Sequence, residues 1–307
     1  MISVVIPVKN GGSDLTRCVE AIRRQKVEHE VEIVVIDSGS SDGSRERARA
    51  LGAQVFEIPP EEFGHGHARN VGAARARGDV LVFTSQDAYA ADDRWLATLV
   101  GPLGSEPDLA GIYGRQIAHD GAKPPERYFL DFMYRPEPHT KRASNPDDIS
   151  IATTHFSNVN SAIPRALWSE HPFADDLIMS EDQEWSRRML LAGYAIRYEP
   201  RAAVRHSHDY SIPGAFCRFF DSGVSAERSF VGEASSSSVV LRQEGVRYAR
   251  GEISWLWRTG KRRWIPYAAV YELSKFAGLQ LGRRHRLLPH AVKRRVSGLK
   301  NYWDVAG

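Results

Sequence analysis

The chain has 307 residues, 42% hydrophobic and 26% charged, with a formal net charge of +3, the composition of an ordinary globular protein long enough for one large domain plus an appendage. Its two cysteines, Cys18 and Cys217, make no C-x-x-C and no zinc spacing, which fits a reducing compartment. No apolar run of about 18 residues is present, so no membrane-spanning helix is expected, and with a strand read from Ile2 no signal peptide is expected either.

Ile2 to Pro7 reads as a buried strand, Asp14 to Gln25 as a helix through Leu15, Cys18, Val19 and Ile22, and Val31 to Ile36 as a second strand. A helix over Ser44 to Leu51, a strand over Gln54 to Ile58, an Ala/Arg-rich helix over 66–77 and a strand over Asp79 to Phe83 follow. Asp92 and Asp93 are expected to cap a helix running to about Gly101. Strands and helices alternating at this spacing predict an α/β fold, a mostly parallel sheet flanked by helices.

After that the pattern changes. Leu109 to Gln116 reads as a strand, 119–150 as a long loop rich in Pro and charge, and 155–163 as strand again. Glu181 to Ala192 reads as a helix, Tyr194 to Tyr198 and Ala202 to His206 as two short strands, and the chain from about Ser211 as helical. The serine run 235–238 is the expected linker, dividing 1–234 from a helical appendage over 235–307.

Open parallel sheets bind ligands at the carboxyl ends of their strands. Three strands here stop at polar turns: SVVIPVKN at the N-terminus, EIVVIDSGSSDGS over 32–44 and DVLVFTSQDAY over 79–89. Each alone is equally a helix cap. Pro7 and Asn10 end the first, Asp37, Ser38 and Ser40 the second, and Gln86 and Asp87 the third. No G-x-G-x-x-G follows the first strand, which argues against a dinucleotide oxidoreductase. Glu181 and Asp182 open the helix SEDQEWSRRM, where the dipole holds a carboxylate ionised and suits it to act as a base. His206 and His208, as H-x-H on a strand, would share one face and could join Asp87 in a metal site or form a hydrogen-bonded pair.

Taken together, these motifs resemble the nucleotide-sugar-binding half of a family-2 glycosyltransferase. The usual Asp-x-Asp of that family is replaced by Ser85-Gln86-Asp87-Ala88, similar to the Thr-Gln-Asp-Ala of its bacterial rhamnosyltransferases. The resemblance extends to Phe63-Gly64-His65-Gly66 with Arg69-Asn70, to Tyr113-Gly114-Arg115-Gln116, to Phe156-Ser157-Asn158 and to His206-Ser207-His208-Asp209-Tyr210, covering about residues 1–230.

What the resemblance implies is a GT-A-type domain and an inverting transfer from a nucleotide-diphosphate sugar, dTDP-rhamnose first among the candidates, to a glycan or lipid-linked acceptor. The alternatives are another UDP-, dTDP- or GDP-sugar, or a catalytically silent nucleotide- or membrane-binding protein. Mg²⁺ or Mn²⁺ would sit on Asp87 with His206 and His208. The donor would be held by Pro7, Asn10, Asp37, Ser38, Ser40, His65, Arg69, Asn70, Gln86, Asp87, Arg115 and Gln116, with Asp37 accepting from the base N–H. Asp182 would be the general base with Glu181 orienting it, and Asn158 and Trp185 would lie on the acceptor side.

The charge is uneven. Residues 239–307 hold 15 Lys+Arg against 4 Asp+Glu, a net +11, and the remainder is −8. Trp255, Trp257, Arg258, Lys261, Arg262, Arg263, Trp264 and Tyr267 interleave aromatics with cations, as an interfacial helix does on an anionic membrane surface. A hairpin packing its aromatics on the first domain is the other reading. Nucleic acid is not expected, since no nucleic-acid fold accompanies the pattern. These readings place the protein in the cytoplasm, peripheral on the inner face of the membrane.

Overall fold

The computed structural model of the chain describes residues 1–230 and 238–305. The elements run β1 (Ile2–Val8), α1 (Gly12–Arg23), β2 (Val31–Asp37), α2 (Ser44–Ala50), β3 (Gln54–Glu57), α3 (His65–Arg75), β4 (Val80–Thr84), β5 (Tyr89–Ala90), α4 (Trp95–Val100) and β6 (Leu109–Ile117). They continue with α5 (Pro124–Met133), β7 (His139–Lys141), α6 (Ile151–Thr154), β8 (Asn160–Pro164), α7 (Arg165–Glu170), α8 (Glu181–Leu191) and β9 (Ala195–Arg205). Among the described residues the remaining helices are α9 (Ile212–Ser229), α10 (Ser238–Arg258), α11 (Ile265–Arg283), α12 (His290–Val296) and α13 (Lys300–Val305).

The strands form one sheet in the order β3-β2-β1-β4-β8-β6-β9-β5, with β7 added on β9. The first four are parallel to their neighbours. β8 then enters antiparallel between β4 and β6, while β6 and β9 run parallel. Alternate side chains of β1 serve opposite faces. Val4, Ile6 and Val8 join Leu15 and Val19 of α1 and Trp95 and Leu99 of α4 in one core. Val5 joins Ala68 and Ala73 of α3, with Trp185 and Met189 of α8, in the other.

Three local expectations change. The segment 119–150 contains α5, whose Pro124 and Pro125 sit in the first turn, where a missing N–H costs nothing. The two expected strands at 194–206 are one, β9, bent where Gly114 pairs with Glu199 and the next residue, Arg115, with Ala203. A Cβ on Gly114 would lie 2.0 Å from the carbonyl oxygen of Ala202, so this bulge needs glycine. Asp92 and Asp93 do not cap α4: Asp92 Oδ1 accepts from the Arg94 N–H at 2.9 Å, Asp93 pairs with Lys26 at 2.6 Å, and the helix starts at Trp95. Of the expected serine linker, 235–237 and the 234/235 boundary lie outside the described residues, and Ser238 opens α10.

The last helices are seated on the preceding ones. α11 lies along α9 with backbones in contact: a Cβ on Gly278 would come 2.4 Å from Phe216 O, and one on Gly282 2.0 Å from Phe220 O. Lys275 is buried in this seam among the rings of Phe129, Phe219, Tyr248 and Tyr271 and pairs with Glu272 at 2.9 Å. Among the described residues no helix is long and apolar enough to cross a membrane.

Candidate active site

The strand register brings the chemistry to one edge. β1, β2 and β4 are parallel, so Val8 and Asp37 end level and Thr84, the residue after the Phe83–Val5 pair, ends β4 at the same edge. β8 is antiparallel to β4 with Thr84 opposite Asn160, which puts the segment before β8 at the same edge. β9 leaves the sheet at Arg205, opposite Tyr89, and delivers His206 beside Asp87. Asn10 (φ 51°) and Ser180 (φ 63°), the non-glycine residues with left-handed backbone among those described, flank two of the groups concerned.

Asp87, His206 and His208 converge, with one ligand atom from each lying within 4.8 Å of the others. His206 Nε2 is 3.7 Å from Asp87 Oδ1, and His208 Nδ1 is 3.8 Å from Oδ2, too far for hydrogen bonds. Burial pushes His206 down to about 3 and lowers His208 despite the adjacent carboxylate, so both rings are neutral and offer lone pairs. The other nitrogen of His206, Nδ1, donates to Gln116 Oε1 at 2.8 Å, which fixes the tautomer that turns the Nε2 lone pair towards Asp87. The Gln116 amide in turn donates to Tyr134 OH and to Ser157 Oγ. One carboxylate and two neutral imidazoles, held apart at these distances, fit a divalent cation. The cluster opens on a cavity of about 600 Å³ lined by Arg17, Asp87, Tyr89, His119, His208 and Tyr210, a size typical of small-ligand sites.

Asp37 is fully buried at the end of β2. Its Oδ1 accepts from the N–H groups of Gly39 and Ser40 at 3.1 and 3.0 Å, while its buried Oδ2 has no partner. A buried carboxylate oxygen without a donor is costly, so this atom is poised for a ligand N–H. Ser40 Oγ accepts from the Asn10 N–H, Asn10 Oδ1 accepts from Ser41, and Ser38 Oγ donates to Val8 O, so these side chains tie the two turns together. Pro7 is half-buried within β1.

The third group is the carboxylate pair at the start of α8. Glu181 forms a buried ion pair with Arg69 at 2.6 Å. Burial works against its charge, but Arg69 overrides this and holds the carboxyl below its usual range. Asp182 differs from the expectation that the helix dipole keeps it readily ionised: burial, and then the neighbouring Glu181 charge, push it up to about 7. Its Oδ2 accepts from the Asn158 N–H at 3.0 Å and its Oδ1 from the Gln183 N–H at 2.8 Å.

Several expected donor contacts face elsewhere. Arg69 is spent on Glu181 because both are buried and neither charge has another partner of comparable strength. Asn70 is saturated by Phe173, which it bonds through both backbone groups, and by the Trp168 indole. Gln86 clamps Lys9 N and O and so joins the ends of β1 and β4. Gln116 points at His206, and Arg115 pairs with Asp131 at 3.5 Å. His65 is partly buried against Phe63, and burial lowers it to about 4, so it is neutral near pH 7. On the acceptor side, Trp185 is a core residue with its indole N–H on His171 O, and the Asn158 side chain bonds Glu181 and Ser161 rather than facing solvent.

Other residues that shape the site carried no recognisable pattern. Glu126 of α5 accepts from the His208 N–H, and the Lys123 N–H donates to Asp209, so the segment read as loop holds the histidine turn. The alternation Tyr128-Phe129…Phe132-Met133 was the available helical signal, obscured by the prolines. Arg218 of α9 leans on Met179, and its charge reaches His65, His206, His208 and Tyr210.

Comparison with known proteins identifies the family and the fold. The model of glycosyl transferase family 2 matches residues 3–166. An O-antigen chain rhamnosyltransferase of Salmonella typhimurium is 33% identical over 312 residues, covering 99% of this chain and 96% of the relative. A second O-antigen chain rhamnosyltransferase, from Salmonella anatum, is 31% identical and covers 98% and 95%. Among solved structures, a mannosyltransferase of Pyrobaculum calidifontis, in complex with GDP-Man and Mn²⁺, superposes with a TM-score of 0.57 at 17% identity, over 99% of this chain and 85% of that one. The last shows a shared fold.

Proposed function

The chain belongs to glycosyl transferase family 2, and we propose that it transfers L-rhamnose from dTDP-rhamnose to a hydroxyl of a cell-surface polysaccharide or its lipid-linked precursor, inverting the anomeric centre. Glycosyl transfer itself rests on the family. The observation that carries the mechanism is the convergence at one sheet edge of the unpartnered Asp37 oxygen, the Asp87–His206–His208 cluster and Asp182 held near neutrality.

In this reading Asp37 Oδ2 accepts the N–H of the base, and Asp87, His206 and His208 hold the cation. A bound divalent cation would neutralise the diphosphate leaving group. Two imidazoles beside one carboxylate make a softer set than the all-oxygen shell Mg²⁺ prefers, which favours Mn²⁺. Arg218 supplies a further positive charge on the same side. Asp182 takes the proton of the attacking hydroxyl, and Glu181, fixed by Arg69 and Asn158, keeps Asp182 basic. One carboxylate base fits single displacement. The rhamnosyl donor is supported by the two Salmonella relatives, which match nearly end to end. The test is nucleotide release from dTDP-rhamnose, UDP-glucose and GDP-mannose with and without Mg²⁺ or Mn²⁺. Clear preference for a UDP- or GDP-sugar would remove rhamnose and leave the family untouched. The +11 charge of residues 239–307 supports a seat on the anionic inner face of the membrane.

Two expected results follow from the hydrogen bonds. Gln116→Ala frees His206 to turn, and second-sphere losses of this kind cost about 10–100-fold in metal affinity. Calorimetry with Mn²⁺ should show that loss while thymidine binding is unchanged; equal Mn²⁺ affinity would make Gln116 a packing residue only. Asp37→Asn sets an amide NH₂ against the base N–H and should weaken dTDP by about 10–100-fold, the cost of about 1–3 kcal/mol for a mispaired buried group. Unchanged dTDP affinity would place the base elsewhere.

A further inference from the structure

α11 has an apolar outer face opposite its buried inner one. Its inward positions, Ala268, Tyr271, Lys275, Gly278 and Gly282, are buried against α9 and α10. Its outward positions repeat every three or four residues: Pro266, Ala269, Val270, Leu273, Phe276 and Ala277. All six are exposed and none is charged or polar; Leu273 is 66% exposed and Val270 53%. An exposed apolar stripe of this length is ordinarily covered by a partner surface, and a solvated helix would carry charges along it.

What covers it can be argued from the charges at its ends. Arg258, Lys261, Arg262 and Arg263 stand at the amino end of the stripe, with the Arg262 guanidinium 3.8 Å above the exposed Trp257 ring. Arg284 and Arg286 stand at the other end, roughly 28 Å away for a helix of this length, next to the 80% exposed Leu287. None of these cations makes an ion pair among the described residues, and the acid of α11 itself, Glu272, is taken by Lys275. A second copy laid on this face, parallel or antiparallel, would bring cation clusters against one another. A bilayer with anionic headgroups and an apolar interior matches both the stripe and its ends.

We infer that α11 lies in the plane of an anionic bilayer surface, with Val270, Leu273 and Phe276 inserted between the lipids and the arginines at both ends on headgroup phosphates. This goes beyond the general membrane seat proposed above: it commits to one face and one orientation, and it stands or falls independently of the sugar transferred.

The test is flotation of the full chain with vesicles of phosphatidylglycerol and phosphatidylcholine, and with phosphatidylcholine alone. Wild type should float with the former, less so as salt rises, and not with the latter. Leu273→Ser with Phe276→Ser should reduce binding about tenfold or more, and Arg284→Glu with Arg286→Glu should do the same. Neither should alter the melting temperature or turnover of the donor with a soluble acceptor, since all four residues are exposed and outside the site. Equal flotation of the serine variant would overturn the assignment of this face. A wild-type dimer in solution that the serine variant converts to monomer would also overturn it, because the covering partner would then be a second copy. Loss of donor turnover in every form, with flotation intact, would count against the glycosyl-transfer reading and leave this one standing.

Discussion

Asp182→Asn should lower transfer about 10²–10⁴-fold, the usual cost of losing a general base, with donor binding nearly unchanged. The substitution keeps the shape of the side chain at the start of α8 and removes its basicity. The structure adds a second, independent readout. Asp182 is pushed up to about 7 by burial and then by Glu181, so the base is protonated in mild acid. Transfer should therefore rise with pH through about 7 and level off above it. The stability effect has the opposite sense to that of a salt-bridged carboxylate. The folded state favours the neutral form, so its contribution is full below the ordinary value of 3.8 and is lost as pH rises from there through about 7. That limb of the melting-temperature profile should flatten in Asp182→Asn. Turnover near wild type would take Asp182 out of the mechanism, and an unaltered stability profile would show that burial does not raise it.

The parts of this site that were legible in the sequence are those carried by strand ends. Asp37 and Asp87 follow short apolar runs, and a parallel sheet places such residues at one edge whatever the rest of the chain does. His206 and His208 were read as sharing one face of a strand; β9 ends at Arg205, and both lie in the turn just beyond it, which still brings them to Asp87. What the sequence does not disclose is which of the polar residues near the motifs spend their polar atoms internally. Arg69, Asn70, Gln86 and Gln116 are long, polar and close to the motifs, which in sequence looks like ligand binding. Arg69 and Gln116 are buried, so each must be satisfied by a complementary side chain, while the half-buried Asn70 and Gln86 are taken by backbone groups of Phe173 and Lys9. For Arg69 that group is 112 positions away in Glu181, and for Gln116 it is 90 positions away in His206. No local pattern encodes such pairings. The ionisation of Asp182 was missed for a related reason: the helix dipole is visible in sequence, but the burial that outweighs it is not.

Asp87→Ala should abolish the response to metal. It removes the oxygen from a set of one carboxylate and two imidazoles and leaves His206 held by Gln116, so the remaining pair lacks the negative charge that draws a divalent cation. Mn²⁺ affinity measured by calorimetry should fall by about 100-fold or more, and dTDP should bind equally with and without metal. The comparison that separates this site from the base pocket uses thymidine, which has no diphosphate. Asp37→Asn should weaken thymidine and dTDP alike, because the Oδ2 it loses faces the base. Asp87→Ala should weaken dTDP in the presence of Mn²⁺ and leave thymidine untouched. With the two carboxylates acting on different parts of one ligand, their effects on dTDP should add in the double variant. An Asp87→Ala protein that still binds dTDP with wild-type metal dependence would move the cation away from the β4 edge, and with it the diphosphate.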